Sequence, residues 1–235
     1  MAKQTNQSFL DQIGVNKAYL RTVTAFKRLN RWIVRVSKNT RKPGQIHPNV
    51  ARTNADFKGA RKFCAVFSRA MADYPAWIAA AALYWQGRTG DNFMFHLNHD
   101  KLVGRVVGCF HLFRFSFGQR SLPWNLEASA EGHVATITWQ DNRVTPHCSP
   151  NDPLLVGLIF ENRPGSPMLI ANTGVTRASC GITIELPTTR PQKAHLYPFF
   201  CNPERTEFSE SQHLGIQLEI ENETFPLTPA SDKVF

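Results

Sequence analysis

Between Phe26 and Lys42 the chain sets seven cations, Lys27, Arg28, Arg31, Arg35, Lys38, Arg41 and Lys42, among the apolar groups Phe26, Trp32, Ile33, Val34 and Val36. Cations spaced this closely neutralise phosphates, and aromatic rings between them stack on bases. The same pattern suits an element with one packed face and one face turned to an acidic protein partner, to the acidic half of a neighbouring copy, or to solvent. Charge is divided along the 235 residues. Residues 1–62 hold 14 Lys and Arg against Asp11 and Asp56, a net +12, and residues 63–120 hold six against three, a net +3. Residues 121–235 hold seven against 13, a net −6, so the formal +9 of the chain belongs to its N-terminal quarter.

Other residue types that do chemistry are present without the spacing that chemistry needs. His96 and His99 can share a helix face and offer two imidazoles to a metal, but the carboxylates nearby are only Asp91 and Asp100, and no metal site is expected. His147 and Cys148 are adjacent, and neighbours on a strand point to opposite faces, which is poor geometry for activating a thiolate. Glu219, Glu221 and Glu223 alternate as on a solvated sheet edge rather than as an acid/base pair. Trp139 and Tyr197 suit the core between two sheets better than a carbohydrate-stacking platform. Cys64, Cys109, Cys148, Cys180 and Cys201 form no CxxC pair, so they read as reduced thiols behaving as small hydrophobes. The sequence contains no GxGxxG, GxxxxGK[ST], GxSxG, HExxH or EF-hand pattern. No catalytic residue and no cofactor is expected.

The elements that position these residues follow from periodicity. Over 15–36, Tyr19, Val23, Phe26, Leu29 and Ile33 fit helical spacing while Trp32, Val34 and Val36 alternate as in a strand, so both readings stand. Arg41-Lys42-Pro43-Gly44 and Pro48 make a turn or linker. Phe57, Ala60, Cys64, Phe67 and Met71 mark an amphipathic helix. Asp73 is the predicted N-cap of a second helix, Ala76 to Gln86, and Asp91 the predicted cap of a third within Asn92 to Leu102. Beyond Gly104 the period changes: Val107, Cys109, His111, Phe113, Phe115 and Phe117 alternate as a strand. Further strands are predicted at His133–Trp139, Leu154–Phe160, Met168–Ala171, Ile182–Leu186, His195–Cys201 and Ile216–Ile220. The resulting organisation is a basic segment (1–50), a helical region (51–104), a β-rich domain (105–220) and a tail (221–235). The fold class is α+β, with an antiparallel sandwich of immunoglobulin or fibronectin type after a helical hairpin. The longest apolar run, Ala76 to Trp85, is about half of the ~20 residues that span a bilayer, and the polar N-terminus does not read as a secretory signal. Synthesis in a cytoplasm is expected.

The segments ATITWQDN, NDPLLVGLIFEN, TRASCGITIELP and HLYPFFCNPERTEFSESQHLG, with the signs Trp139, Asp152, Arg177, Ser209, Ser211 and Gly215, resemble an uncharacterised family of roughly 200-residue proteins from Bacteroidota and their phages. TNADFKGARKF, Thr53 to Phe63, resembles that family's central helix, whereas the basic Asn16–Lys42 segment replaces its glycine-rich opening. The resemblance implies a fold and a non-enzymatic role, and no catalytic residue. The expected function is that of a structural or interaction protein in a larger assembly such as a phage particle. Its expected partners are other protein subunits, including further copies of itself, and its location is the cytoplasm of synthesis and then the virion. The alternative is a nucleic-acid-binding protein that acts through the seven cations.

Overall fold

A computed structural model describes residues 23–28, 31–36, 48–142 and 145–219. It divides into two compact units, residues 1–51 and 52–235. In the first unit, β1 (Val23–Arg28) pairs antiparallel with β2 (Arg31–Val36). The strand alternation of Trp32, Val34 and Val36 therefore prevails over the helical spacing of Val23, Phe26 and Ile33. Five of these twelve positions are β-branched Val, Ile or Thr, and Phe26 and Trp32 add aromatics, all of which favour a pleated ladder over a helix.

The second unit contains most of α1 (Pro48–Ala70), then α2 (Ala76–Tyr84) and α3 (Gly90–Asn98). Ala60, Phe63, Cys64 and Phe67 form the buried stripe of α1, with Met71 just beyond it. Phe57, predicted to belong to that stripe, is 54% exposed and meets only the edge of the Phe95 ring, with centroids 5.2 Å apart. Both predicted caps are displaced. Pro75 precedes α2 and no side chain caps it, while Thr89 caps α3 by accepting from the Asn92 amide. Asp91 lies inside the first turn of α3, where its carboxylate accepts a 2.6 Å hydrogen bond from the Ser68 hydroxyl.

Two short strands, β3 (Leu102–Val103) and β4 (Val106–Val107), make a tight hairpin. Gly104 turns it in the left-handed region, at φ 59°, and its backbone lies so close to α1 that a Cβ on Gly59 would approach it to 2.6 Å. Two antiparallel sheets follow. One runs β5 (Trp124–Glu131), β6 (Val134–Gln140), β9 (Gly181–Glu185); the other runs β11 (Leu214–Leu218), β10 (Gln192–Phe200), β7 (Leu154–Phe160), β8 (Met168–Ile170). The fold is thus mixed α+β. The six predicted strands after Gly104 that lie beyond residue 130 are present, β7 with the bounds expected; β5 was not anticipated, because its polar Asn125, Glu127 and Ser129 interrupt any apolar alternation.

All seven residues of β7 are buried. Its alternate residues enter two cores. Leu154, Val156, Leu158 and Phe160 join Ala135, Ile137 and Trp139 of β6 and Leu196 and Phe200 of β10. Leu155 and Ile159 join Tyr197, Phe199 and the helical residues Phe63, Phe67 and Trp77. Tyr197 consequently packs on the helical side, not between the sheets as expected, because it has the opposite parity on β10 from Leu196 and Phe200.

The predicted strand over 107–117 is not one. Residues 110–112 form a single 3-10 turn, and Phe113 and Phe115 are buried in the helical core. The alternation is real, but the backbone of 114–116 is satisfied by side chains instead of a neighbouring ladder. Asn98 accepts from the Arg114 amide at 2.9 Å and donates to its carbonyl at 3.0 Å. The Trp77 indole donates to the Phe115 carbonyl, and the Ser211 hydroxyl accepts from the Phe115 amide at 2.8 Å. Phe115 lies flat over Gly157, where a Cβ would come within 2.4 Å of the ring. Replacing Gly157 with Ala should therefore destabilise the protein by about 1–3 kcal/mol, read as a lower midpoint in urea unfolding with an unchanged slope.

Candidate functional site

The basic residues that sequence singles out fall on the hairpin in part. Lys27, Arg28, Arg31 and Arg35 lie on β1 and β2, while Lys38, Arg41 and Lys42 lie outside the described residues. The register pairs Arg28 with Arg31, Lys27 with Trp32, Phe26 with Ile33 and Thr24 with Arg35. Antiparallel partners share a parity of the ladder, so Arg28, Arg31 and Arg35 occupy one parity with Thr24, Phe26 and Ile33. Lys27 falls on the other, with Val23, Ala25, Trp32, Val34 and Val36. The register thus gathers three of the four described cations of this segment on one parity of the ladder.

Other candidate chemistry is engaged in structure. His99 Nδ1 sits 3.0 Å from the His96 carbonyl, and His96 packs against Trp85, so the two rings do not converge. No group of three or more metal-ligating side chains occurs among the described residues. His147 and Cys148 lie in a turn, not on a strand, and the Cys148 thiol donates to the Thr145 carbonyl at 3.0 Å. The reason is local: His147 has φ 56°, in the left-handed region, which a strand does not accommodate. Glu219 follows the end of β11, and Glu221 and Glu223 lie outside the described residues.

One polar cluster was not visible as a cluster in the sequence. Asp152 is fully buried, and so is Arg177. Arg120 clasps Asp152 with both Nη2, at 2.6 Å, and Nε, at 3.1 Å, while its Nη1 reaches Glu207 at 2.8 Å. The second oxygen of Asp152 also accepts from the Ser149 amide at 2.9 Å and faces Arg177 Nη2 at 3.4 Å. Arg177 in turn donates to Asn142 Oδ1 and to the Ser121 carbonyl, and lies over the Phe200 ring 4.6 Å from its centre. Two guanidiniums meet two carboxylates, so the cluster is neutral. Burial pulls the Arg177 pKa below the usual arginine value, opposed by Asp152. Burial acts the same way on Arg120, but its bonds to Asp152 and Glu207 outweigh it and raise the value.

Five of the six residues that carried the family resemblance, Trp139, Asp152, Arg177, Ser209 and Ser211, are buried, whereas Gly215 is exposed on β11. The Trp139 indole donates to the Arg177 carbonyl at 2.7 Å. The Ser209 hydroxyl accepts from the Phe200 amide, and Ser211 holds residues 115 and 116. Both Asp152 oxygens are occupied, so its part in the cluster is to position loops.

A second polar pair bridges β10 and the segment before β11. His195 Nδ1 and His213 Nε2 are 3.0 Å apart, and the His195 ring stacks on Phe110 with centroids 3.7 Å apart. Burial depresses the His195 pKa to about 4, helped by His213 and Lys193 and opposed by Glu161; burial and His111 lower that of His213. Both rings are neutral near pH 7, so one proton serves the N···N contact.

No protein-family model and no curated protein matches the chain. If Asp152 is what keeps two arginines in the interior, Asp152→Ala should cost about 3–5 kcal/mol by leaving that charge uncompensated. Equilibrium unfolding would measure it, and a loss below about 1 kcal/mol would mean that the cluster carries no net weight.

Proposed function

We propose that this chain is a non-enzymatic structural or interaction protein that works by assembling with further copies of itself. Helix α2 carries the reading. Its sequence AWIAAAALY has no charged side chain, and a helix apolar on all sides is ordinarily buried on all sides. Only Ala76, Trp77, Ala80 and Ala81 are buried, whereas Ile78 is 66% exposed and Leu83 and Tyr84 are each 48% exposed. A cavity of about 330 Å³, lined by Ala79, Leu83, Phe117 and Phe208 among others, adjoins this face. Three large exposed apolar side chains on one short helix support a protein contact. Another copy is the occupant proposed, because +12 over residues 1–62 and −6 over residues 121–235 give one copy a complement for the other's charge.

The scaffold in this reading is a fibronectin type III-like sandwich. Its support is strand order: β5-β6-β9 in one sheet and β8-β7-β10-β11 in the other correspond to A-B-E and C′-C-F-G of that architecture, with one core shared by residues of both sheets. Membership of a phage particle rests on the resemblance to Bacteroidota and phage proteins. No described helix is long and apolar enough to cross a membrane. Light scattering of the purified protein should give an oligomer mass that persists at high salt, and Ile78→Glu with Leu83→Glu should reduce it to the monomer without lowering the melting temperature. A monomer at every concentration, with no co-purifying partner, would remove the proposal.

A second reading, nucleic-acid binding by the hairpin, is favoured by the single parity of Arg28, Arg31 and Arg35. Under it, affinity for a generic DNA fragment falls steeply between about 50 and 200 mM salt, and Arg31→Glu with Arg35→Glu abolishes most of it. Unchanged affinity in that double variant excludes the reading.

A further inference from the structure

The turn between β7 and β8 and the connection between β9 and β10 lie at the same end of the four-stranded sheet, since Phe160 is the register partner of Ala194. Between them is a cavity of about 480 Å³. Arg163 and Arg190 line it, together with Asn162, Ser166 and Thr189, and no carboxylate does. None of these five side chains has a hydrogen-bond or ion-pair partner among the described residues, in a half of the chain where acidic residues outnumber basic ones 13 to seven. The contrast with Arg120 and Arg177, each tied to Asp152, is direct.

The walls are held in place. The Arg163 amide donates to the Phe160 carbonyl at 2.9 Å and the Ser166 amide to the Arg163 carbonyl at 3.0 Å. The Val107 amide of β4 donates to the Pro164 carbonyl at 3.0 Å, which braces this turn from the side. Across the cavity, the Thr188 hydroxyl accepts from the Arg190 amide and from Gln192 Nε2 and donates to the Arg190 carbonyl, so the Thr188–Gln192 bend is closed by its own bonds. Pro164, Pro187 and Pro191 restrict the same two segments. Fixed walls lower the ordering cost of binding.

We propose that this cavity binds an anionic sugar: a hydroxylated ring bearing a phosphate or carboxylate. Two guanidiniums without counter-ions supply the charge recognition, and they suit planar or tetrahedral oxyanions. Asn162, Ser166 and Thr189 hold donors and acceptors for ring hydroxyls. Met168 and Pro187, both exposed, give apolar surface for the C–H face of a ring. The volume lies in the range of small-molecule sites and is far larger than a bare phosphate requires. Free sugar phosphates and the acidic terminal unit of a glycan share this chemistry.

Calorimetric titration at low salt with glucose 6-phosphate, methyl glucuronoside, glucose and inorganic phosphate tests the site. At least one of the two sugar anions should bind tenfold or more tighter than both glucose and phosphate, and weaken as salt is raised. Binding of glucose 6-phosphate alone identifies a free sugar phosphate, while binding of the blocked glucuronoside identifies a glycan terminus. Arg163→Gln with Arg190→Gln should reduce that affinity at least tenfold at an unchanged melting temperature, since both side chains are exposed. Sugar anions that bind no better than glucose or phosphate, or binding untouched by the double substitution, would overturn the proposal. Because the oligomer mass does not enter, the outcome is separate from that of the assembly reading.

Discussion

Strand β7 has no face in water, and the rest of the second unit is arranged around that constraint. Leu-Leu-Val-Gly-Leu-Ile-Phe buries every residue, so each face of its sheet needs a cover. On one side the cover comes from β6 and its neighbours; on the other it comes from α1, α2 and the irregular segment 113–117. That segment is forced to be irregular. It lies against a sheet face, where no ladder edge is offered, and so its backbone must be satisfied from above and below by Asn98, Trp77 and Ser211. Gly157 is the local condition for this arrangement, because only a residue without Cβ lets the Phe115 ring settle on the strand.

The loops at the end of β7 are fixed by a different force. Desolvating Asp152 and Arg177 costs several kcal/mol for each ion, so their presence is justified only by near-complete pairing. Asp152 accepts from Arg120, Arg177 and the Ser149 amide, and Arg177 reaches as far as Asn142 and the Ser121 carbonyl. The cluster therefore connects the segments around residues 120, 142, 150, 177 and 207, which are remote in sequence and have little apolar surface of their own. An apolar substitute of equal volume could match its stability but not its directionality, and direction is what loops without ladder partners require.

Much of this was legible in the sequence, and the failures share a cause. Runs whose pattern reports local packing, such as Leu154–Phe160 and the stripe from Ala60 to Met71, gave elements close to those found. Phe113, Phe115 and Phe117 gave a strand pattern without a strand, because alternation records which residues are buried and not where their amides bond. Segment 15–36 holds two patterns, and β-branched content favours the strand pattern adopted over 23–28 and 31–36. The Asp152–Arg120–Arg177 cluster left only isolated letters, since its members lie 25 or more residues apart. The cavity with Arg163 and Arg190 was hidden for the same reason: its two walls are distant in sequence and meet only through the pairing of β7 with β10.

Charge then separates what builds the protein from what it offers to others. Within the second unit the buried guanidiniums of Arg120 and Arg177 are matched by buried Asp152 and part-exposed Glu207. Arg163 and Arg190 differ in having neither burial nor a partner, so folding gains nothing electrostatic from them. The hairpin presents a related case, with Arg28, Arg31 and Arg35 on one parity of its ladder and Lys27 alone among apolar residues on the other. Clustered cations raise each other's energy, and removing that repulsion is a reason for an anion to bind there. The exposed apolar face of α2 has the complementary character, uncharged and averse to water. The two contacts proposed differ accordingly: apolar association would cover α2, and an anion would offset the charge of the arginines.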